Sequence, residues 1–175
     1  MLTQGRRDAP ARQRTLRAAL DWSHALLSEV EVVVYRRLAV FAGSFSLEAA
    51  RRLAEDAGGE PIDGWAVLDA LGTLVDRSLV SADLGEPPRY HLLESARAFA
   101  VERLVESSEE VTIRQRHALE VARHFGQVTV ESLCGDRGVD ESVALLNPDL
   151  DNARAALAWF LRQGDAWARS RWRPR

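Results

Sequence analysis

Residues 63–93, DGWAVLDALGTLVDRSLVSADLGEPPRYHLL, join a helical pattern directly to two short apolar runs. Asp63 is a residue type that caps helix N-termini, and apolar residues follow it at helical spacing. The two apolar runs, residues 78–83 and 89–93, are separated by LGEPP, which is rich in turn-forming residues. The stretch therefore predicts a helix followed by a β-hairpin with a loop of about five residues.

Three helix starts precede this stretch. Thr15 is a suitable N-cap for a helix over about 16–27, and Ser28 with Glu31 forms a capping box for a second helix that Gly43 ends. Ser46 caps a short third helix. The order of helices, then a hairpin, then a further helix is that of a winged helix-turn-helix.

The remainder of the chain is predicted to be helical except at its two ends. A long helix over about 110–133 and a final amphipathic helix ending near Gly164 indicate stacked helical hairpins. Residues 1–14 are predicted to be an extended arm and residues 165–175 an irregular tail. The predicted fold class is mainly α: a winged helix-turn-helix of three helices and a β-hairpin, followed by α-helical repeat-like hairpins.

Composition excludes several chemistries. All 23 basic residues are Arg, so a P-loop lysine, a lysine Schiff base and a lysine general base are impossible. There is one Cys, which rules out an intrachain disulfide, and no apolar leader or membrane-spanning run is apparent. We therefore expect a cytoplasmic, non-enzymatic chain with no membrane partner.

Five strings carry a family resemblance: RQRTLRAALDWS (12–23), FAGSFSLEAA (41–50), LVDRSLV (74–80), RYHLLESAR (89–97) and DNARAAL (151–157). In this order they resemble the predicted ATPases of bacterial LuxR-type and related transcriptional regulators. These proteins belong to the STAND class of signal-transducing NTPases, which have an NB-ARC-like core.

The resemblance implies a domain organisation. Residues 1–28 would be the end of a helical domain with an Arg-rich arm, 29–108 the winged helix, and 109–164 the start of a tetratricopeptide-like helical array. Residues 165–175 depart from the family pattern. A truncated or frameshifted gene product is the expected origin, and ATP or ADP is expected only for the upstream domain, so this chain itself would need no cofactor.

One residue is a weak candidate for a nucleotide contact. Related STAND proteins place a winged-helix His near bound ADP, and the resemblance aligns that position with Leu93, two residues from His91. A half-buried strand histidine is the favoured interpretation of His91. No catalytic residue is predicted. No metal site is predicted either, because no carboxylate or Cys completes a ligand set around His117 and His124.

The DNA-binding alternative is a small winged-helix transcription factor. In such modules the helix before the hairpin enters the major groove. Its polyanion contacts here would be Arg77 and Arg89, but the helix, its ends and the wing are net acidic, with Asp63, Asp69, Asp76, Asp83 and Glu86. DNA binding is therefore disfavoured. The tryptophans Trp22, Trp65 and Trp159 are interpreted as packing residues rather than a base-stacking platform.

The predicted function is regulatory. The winged helix would dock on the nucleotide-binding domain of the intact protein, and the helical array would receive a protein or small-molecule inducer. The last helix would lack a covering neighbour, so self-association through exposed helix faces, or fraying beyond about residue 109, is expected.

Overall fold

The computed structural model describes residues 9–55 and 62–171, with side chains for 15–55 and 62–164. Its elements, in chain order, are α1 (Ala9–Ala25), α2 (Glu29–Leu38), α3 (Leu47–Ala54), α4 (Gly64–Asp76), β1 (Ser81–Asp83), β2 (Arg89–His91), α5 (Glu94–Glu106), α6 (Glu110–Leu133), α7 (Val139–Leu146), a 3₁₀ turn (Asn147–Asp149) and α8 (Leu150–Arg171). The fold is mainly helical with one two-stranded sheet, which confirms the predicted fold class.

Local side-chain caps begin α2, α3 and α4. The Ser28 hydroxyl accepts from the Glu31 amide at 3.3 Å, and the Glu31 carboxylate accepts from the Ser28 amide at 2.7 Å. The side chains of Ser46 and Asp63 accept from the amides of Ala49 and Ala66 and so cap α3 and α4. A cap of this kind is worth about 1 kcal/mol, which helps keep the β-prone valines after Glu31 helical.

The hydrophobic core lies between α2, α3, α4 and α5. Its largest fully buried side chains include Tyr35, Leu38, Phe45, Leu71, Leu74 and Leu104. The antiparallel hairpin pairs Ser81 with His91 and Asp83 with Arg89. The hairpin is fixed to the loop before α3, because the backbones of Phe45 and Tyr90 exchange hydrogen bonds at 2.8 and 2.9 Å.

Arginine side chains join the winged helix to the helix that follows it. Arg37 is only 2% exposed; it donates to the Ala54 carbonyl at the end of α3 and to Glu109 before α6, at 2.8 and 2.7 Å. Arg36 donates to the second oxygen of Glu109 at 2.6 Å. The planar guanidinium suits this role, because it can serve two acceptors in fixed directions.

The helices after the winged helix form a smaller layer. α6 packs along α8 and against α3. Several large apolar side chains of this layer are exposed: Val130, Leu133, Val139, Val143, Leu157 and Leu161. These exposed side chains form a surface for the expected self-association, which stays a prediction. The domain boundaries also stay predictions. None of the described helices is both long enough and apolar enough to span a membrane.

The predictions for the chain ends are wrong where the structure describes them. α1 begins at Ala9, and Pro10 lies in its first turn. Backbone N–H groups in the first turn have no partner within the helix, so the missing N–H of proline is tolerated there. α8 continues to Arg171 through Gly164, since one glycine costs about 1 kcal/mol in a helix and does not by itself end it. Residues 1–8, 56–61 and 172–175 lie outside the described residues.

The hairpin is shorter than the two apolar runs suggested. Ser78 has a φ of 58°, so the chain turns there before β1 begins at Ser81. β2 ends at His91, after which Leu93 is the N-cap of α5. Residues 78–80 before β1 and residues 92–93 after β2 therefore form connections and do not pair.

Candidate recognition surface of the winged helix

The outward face of α4 is acidic. Asp69 and Asp76 are exposed along it and the N-cap Asp63 is exposed at the start of the helix, while Val67 and Leu74 on the opposite face are buried. Neither α4 nor its N-cap contains a basic residue. This is the face that a DNA-binding winged helix would present to phosphates, and here it would repel them.

Trp65 lies on the same face with 77% of its surface exposed. The interpretation of Trp22 and Trp65 as packing residues is wrong, since Trp22 is also 69% exposed, whereas Trp159 is half-buried against Phe160. The reason is that the apolar face of α4 already fills the core without the indole of Trp65. An exposed tryptophan is typical of protein interfaces.

Arg77, a candidate polyanion contact, is the C-cap residue of α4 and is partly exposed. The pKa of the neighbouring Glu31 is lowered, chiefly by its hydrogen bond from the Ser28 backbone and to a smaller extent by the positive charge of Arg77. The positive charge of Arg77 therefore already interacts with the carboxylate of Glu31.

Arg89, the second candidate, does not project from the wing. Its guanidinium donates to the hydroxyl and carbonyl oxygens of Ser44, at 2.8 and 3.0 Å, and lies 2.5 Å from Asp149. The side chain is 18% exposed. The wing tip instead presents the exposed Leu84 and Glu86. A phosphate contact by Arg89 would require breaking an existing ion pair, and stays a prediction.

His91 lies on β2 opposite Ser81 and is half-buried, in keeping with its interpretation as a strand residue. A nucleotide contact by His91 stays a prediction. His117 is buried in α6 and His124 is partly exposed on the same helix. Within the described residues there is no group of three or more His, Cys, Asp or Glu side chains that could hold a metal ion.

Asn152 is a positioning residue that the sequence did not reveal. It is 1% exposed, and its amide oxygen accepts from the backbone amides of Ala42 and Gly43 at 2.9 and 3.4 Å. Its amide nitrogen donates to the Ser44 carbonyl at 2.8 Å. The sequence signal for this residue was an asparagine in the first turn of an otherwise Ala-rich helix. Its partners, however, lie more than 100 residues away.

Comparison with known proteins agrees with this geometry. Residues 27–105 match the family model described as a winged helix-turn-helix domain. These residues form a winged helix-turn-helix domain. No solved structure matches the chain.

Mycobacterial proteins are similar to most of the chain. The "Putative HTH-type transcriptional regulator Rv0890c" of Mycobacterium tuberculosis is 42% identical over 167 residues, which are 94% of this chain and 18% of that protein. The corresponding Mb0914c of Mycobacterium bovis shows the same values. The uncharacterized protein Rv0894 of M. tuberculosis is 37% identical over 128 residues, 73% of this chain and 31% of that protein. The chain thus spans about a fifth to a third of the length of these relatives.

The winged helix-turn-helix domain consequently has two different sides. One side, with Arg89 and the loop at residues 42–44, is bound to the 3₁₀ turn and α8. The other side, formed by α4, is acidic and carries Trp65. Among the described residues, the first side is occupied by contacts within the chain, whereas Trp65 and Asp69 on the second side are exposed.

Proposed function

We propose that this chain is a non-catalytic regulatory module whose winged helix-turn-helix domain binds protein through α4. The observation that carries the proposal is the exposed face of α4, on which Trp65 lies one helical turn before the exposed Asp69. Affinity for DNA depends on several cations at phosphates, and this face supplies none. An aromatic residue beside negatively charged carboxylates instead suits a partner with an apolar pocket and a basic rim.

The partner that the STAND resemblance implies is the nucleotide-binding domain of the same regulator. The relatives leave room for such a partner, because they contain much sequence that this chain does not match. Docking of α4 on such a domain would be one of two states of the regulator, and a signal at the helical array would shift the balance between them.

The test uses the parts of the regulator Rv0890c that this chain does not match, expressed separately and titrated against the 175-residue chain by calorimetry. We expect Trp65→Ala to weaken binding by about thirtyfold, since a central tryptophan is often worth about 2 kcal/mol. Trp22→Ala is the matched control, because Trp22 is similarly exposed but lies on α1. Equal affinity of the Trp65→Ala variant and the unchanged chain would overturn the proposal.

Sequence-specific DNA binding is the second candidate. The winged helix-turn-helix match and the names of the relatives favour it. Fluorescence anisotropy against a pool of duplex oligonucleotides at two salt concentrations distinguishes the candidates. Binding that Arg77→Ala abolishes, and that weakens steeply with salt, would support the DNA-binding function and contradict the proposed protein docking.

A further inference from the structure

A cleft of about 220 Å³ lies between the winged helix-turn-helix domain and the helices that follow it. Its apolar walls come from both sides: Phe41, Leu53 and Pro87 from the domain, and Val121, Phe125 and Leu145 from α6 and α7. Small-molecule sites are typically concave, mainly apolar and equipped with a few polar groups. The volume suits a ligand of about one ring, because a 150 Å³ apolar cavity can hold benzene.

Ionic groups at the margin of the cleft are already paired with one another. Arg89 lies 2.5 Å from Asp149, Arg52 2.7 Å from Glu48, and Arg123 2.9 Å from Glu120. A charged ligand would have to break one of these ion pairs to obtain a counter-charge. The cleft therefore favours a neutral molecule.

One polar side chain in the cleft has an unused hydrogen-bonding atom. His117 is 4% exposed and lines the cleft, and its Nε2 has no hydrogen-bond partner among the described residues. The ring is held in place by Phe41, whose ring centroid lies 5.1 Å away in an edge-to-face arrangement. Burial lowers the pKa of His117 to about 4, so the imidazole is neutral at pH 7.

We infer that this cleft binds a small, neutral, mainly apolar molecule whose hydroxyl forms a hydrogen bond with His117 Nε2. Nε2 of a neutral imidazole is a donor in one tautomer and an acceptor in the other. A hydroxyl can accept or donate and so satisfies either tautomer, whereas a hydrocarbon would leave Nε2 unsatisfied at a cost to affinity.

The location of the cleft gives such a ligand a structural effect. Because its walls belong to both the winged helix-turn-helix domain and the following helices, an occupant would add contacts across their boundary. It would therefore stabilise the arrangement in which Arg89 and Asp149 are paired. This inference does not depend on what α4 binds.

The test measures binding of two probes, benzyl alcohol and toluene, to the ¹⁵N-labelled 175-residue chain by NMR. We expect benzyl alcohol to shift the His117 Nε2 resonance saturably and to bind about five- to tenfold more tightly than toluene, the range that one hydrogen bond commonly supplies. His117→Phe preserves a ring of similar size and should remove this preference. Equal binding of both probes, or shifts that remain linear up to the solubility limit, would refute the inference.

A second pair of variants tests the cleft independently of His117. Val121→Phe places a bulky ring in the cleft and should abolish binding of benzyl alcohol. Val130→Phe makes the same change at an exposed position of α6 outside the cleft and should leave binding unchanged. Undiminished binding by a folded Val121→Phe variant would show that the probe binds elsewhere, and the site would be rejected.

Discussion

Arg89 and Asp149 form an ion pair between the wing and the 3₁₀ turn before α8, with 2.5 Å between Nη2 and Oδ1. Both side chains are 18% exposed, and Asp149 also accepts from the Asn152 amide at 3.3 Å. Arg89, which the DNA-binding alternative assigns to a phosphate contact, thus binds the wing to the chain's own helices. The wing and the helical layer are therefore expected to unfold together.

The first prediction concerns the strength of this pair. A double-mutant cycle with Arg89→Ala and Asp149→Ala should give a coupling energy of about 1–2 kcal/mol in urea unfolding, because the pair is largely shielded from water. Arg154 and Asp151 are the matched control, since their side chains are 76% and 62% exposed. Their coupling should stay below about 0.5 kcal/mol. Similar values for the two cycles would contradict the structural role of the first pair.

The second prediction concerns Asn152. Asn152→Ala leaves the amides of Ala42 and Gly43 and the carbonyl of Ser44 without their side-chain partner, so the free energy of unfolding should fall by about 2–3 kcal/mol. The amide protons of Ala42 and Gly43 should exchange faster in the variant. Asn147→Ala, at an exposed position of the 3₁₀ turn, should change stability by less than about 0.5 kcal/mol.

The contrast between Ser28 and Asn152 shows what could be predicted from the sequence. The Ser28–Glu31 capping box is local, so its residue types and spacing were enough to place the start of α2. Asn152, in contrast, contacts backbone groups about 110 residues earlier, and no spacing rule connects them. The order of elements was therefore predictable, whereas the contacts between the wing and α8 were not.

Exposure was the property that sequence patterns judged least well. Trp65 was interpreted as a packing residue, although the helical spacing of Val67, Leu71 and Leu74 already supplied the buried face of α4. The acidic character of this face was apparent from Asp69 and Asp76. The cleft could not be predicted, because Phe41 and His117 meet only through the packing of α6 against the domain.

The third prediction concerns Glu109. Burial alone would raise the pKa of Glu109, but hydrogen bonds from Arg37 and Arg36 outweigh it and lower the pKa below 4.5. A lowered folded-state pKa stabilises the fold above the unfolded-state value, and this stabilisation is lost as the pH falls through the folded-state value. Glu109→Gln should therefore reduce the free energy of unfolding at pH 7, by about 3 kcal/mol, because it removes a carboxylate that is paired with the buried Arg37.

The deficit of the Glu109→Gln variant should shrink as the pH is lowered from 5 toward 3, since the unchanged chain then loses the same charge. Glu141→Gln is a suitable control, because Glu141 pairs with Arg137 at 2.6 Å but is 62% exposed. That variant should lose less than about 1 kcal/mol at pH 7. A deficit of the Glu109 variant that does not depend on pH would show that packing, and not charge, fixes Glu109.

The fourth prediction follows from the burial of His117. Its folded-state pKa of about 4 lies below the ordinary value of 6.5, so the unfolded chain takes up a proton at a higher pH than the folded chain. The stability that depends on neutral His117 is complete above pH 6.5 and declines as the pH falls toward 4. Between pH 8 and pH 5 the loss should be about 2 kcal/mol.

His117→Phe removes this titration and keeps a ring against Phe41. Urea unfolding at pH 8 and pH 5 should therefore show the variant gaining about 2 kcal/mol relative to the unchanged chain over this interval. If the stability difference between His117→Phe and the unchanged chain were the same at both pH values, the pKa of His117 would not be lowered in the folded protein, which would contradict its burial against Phe41.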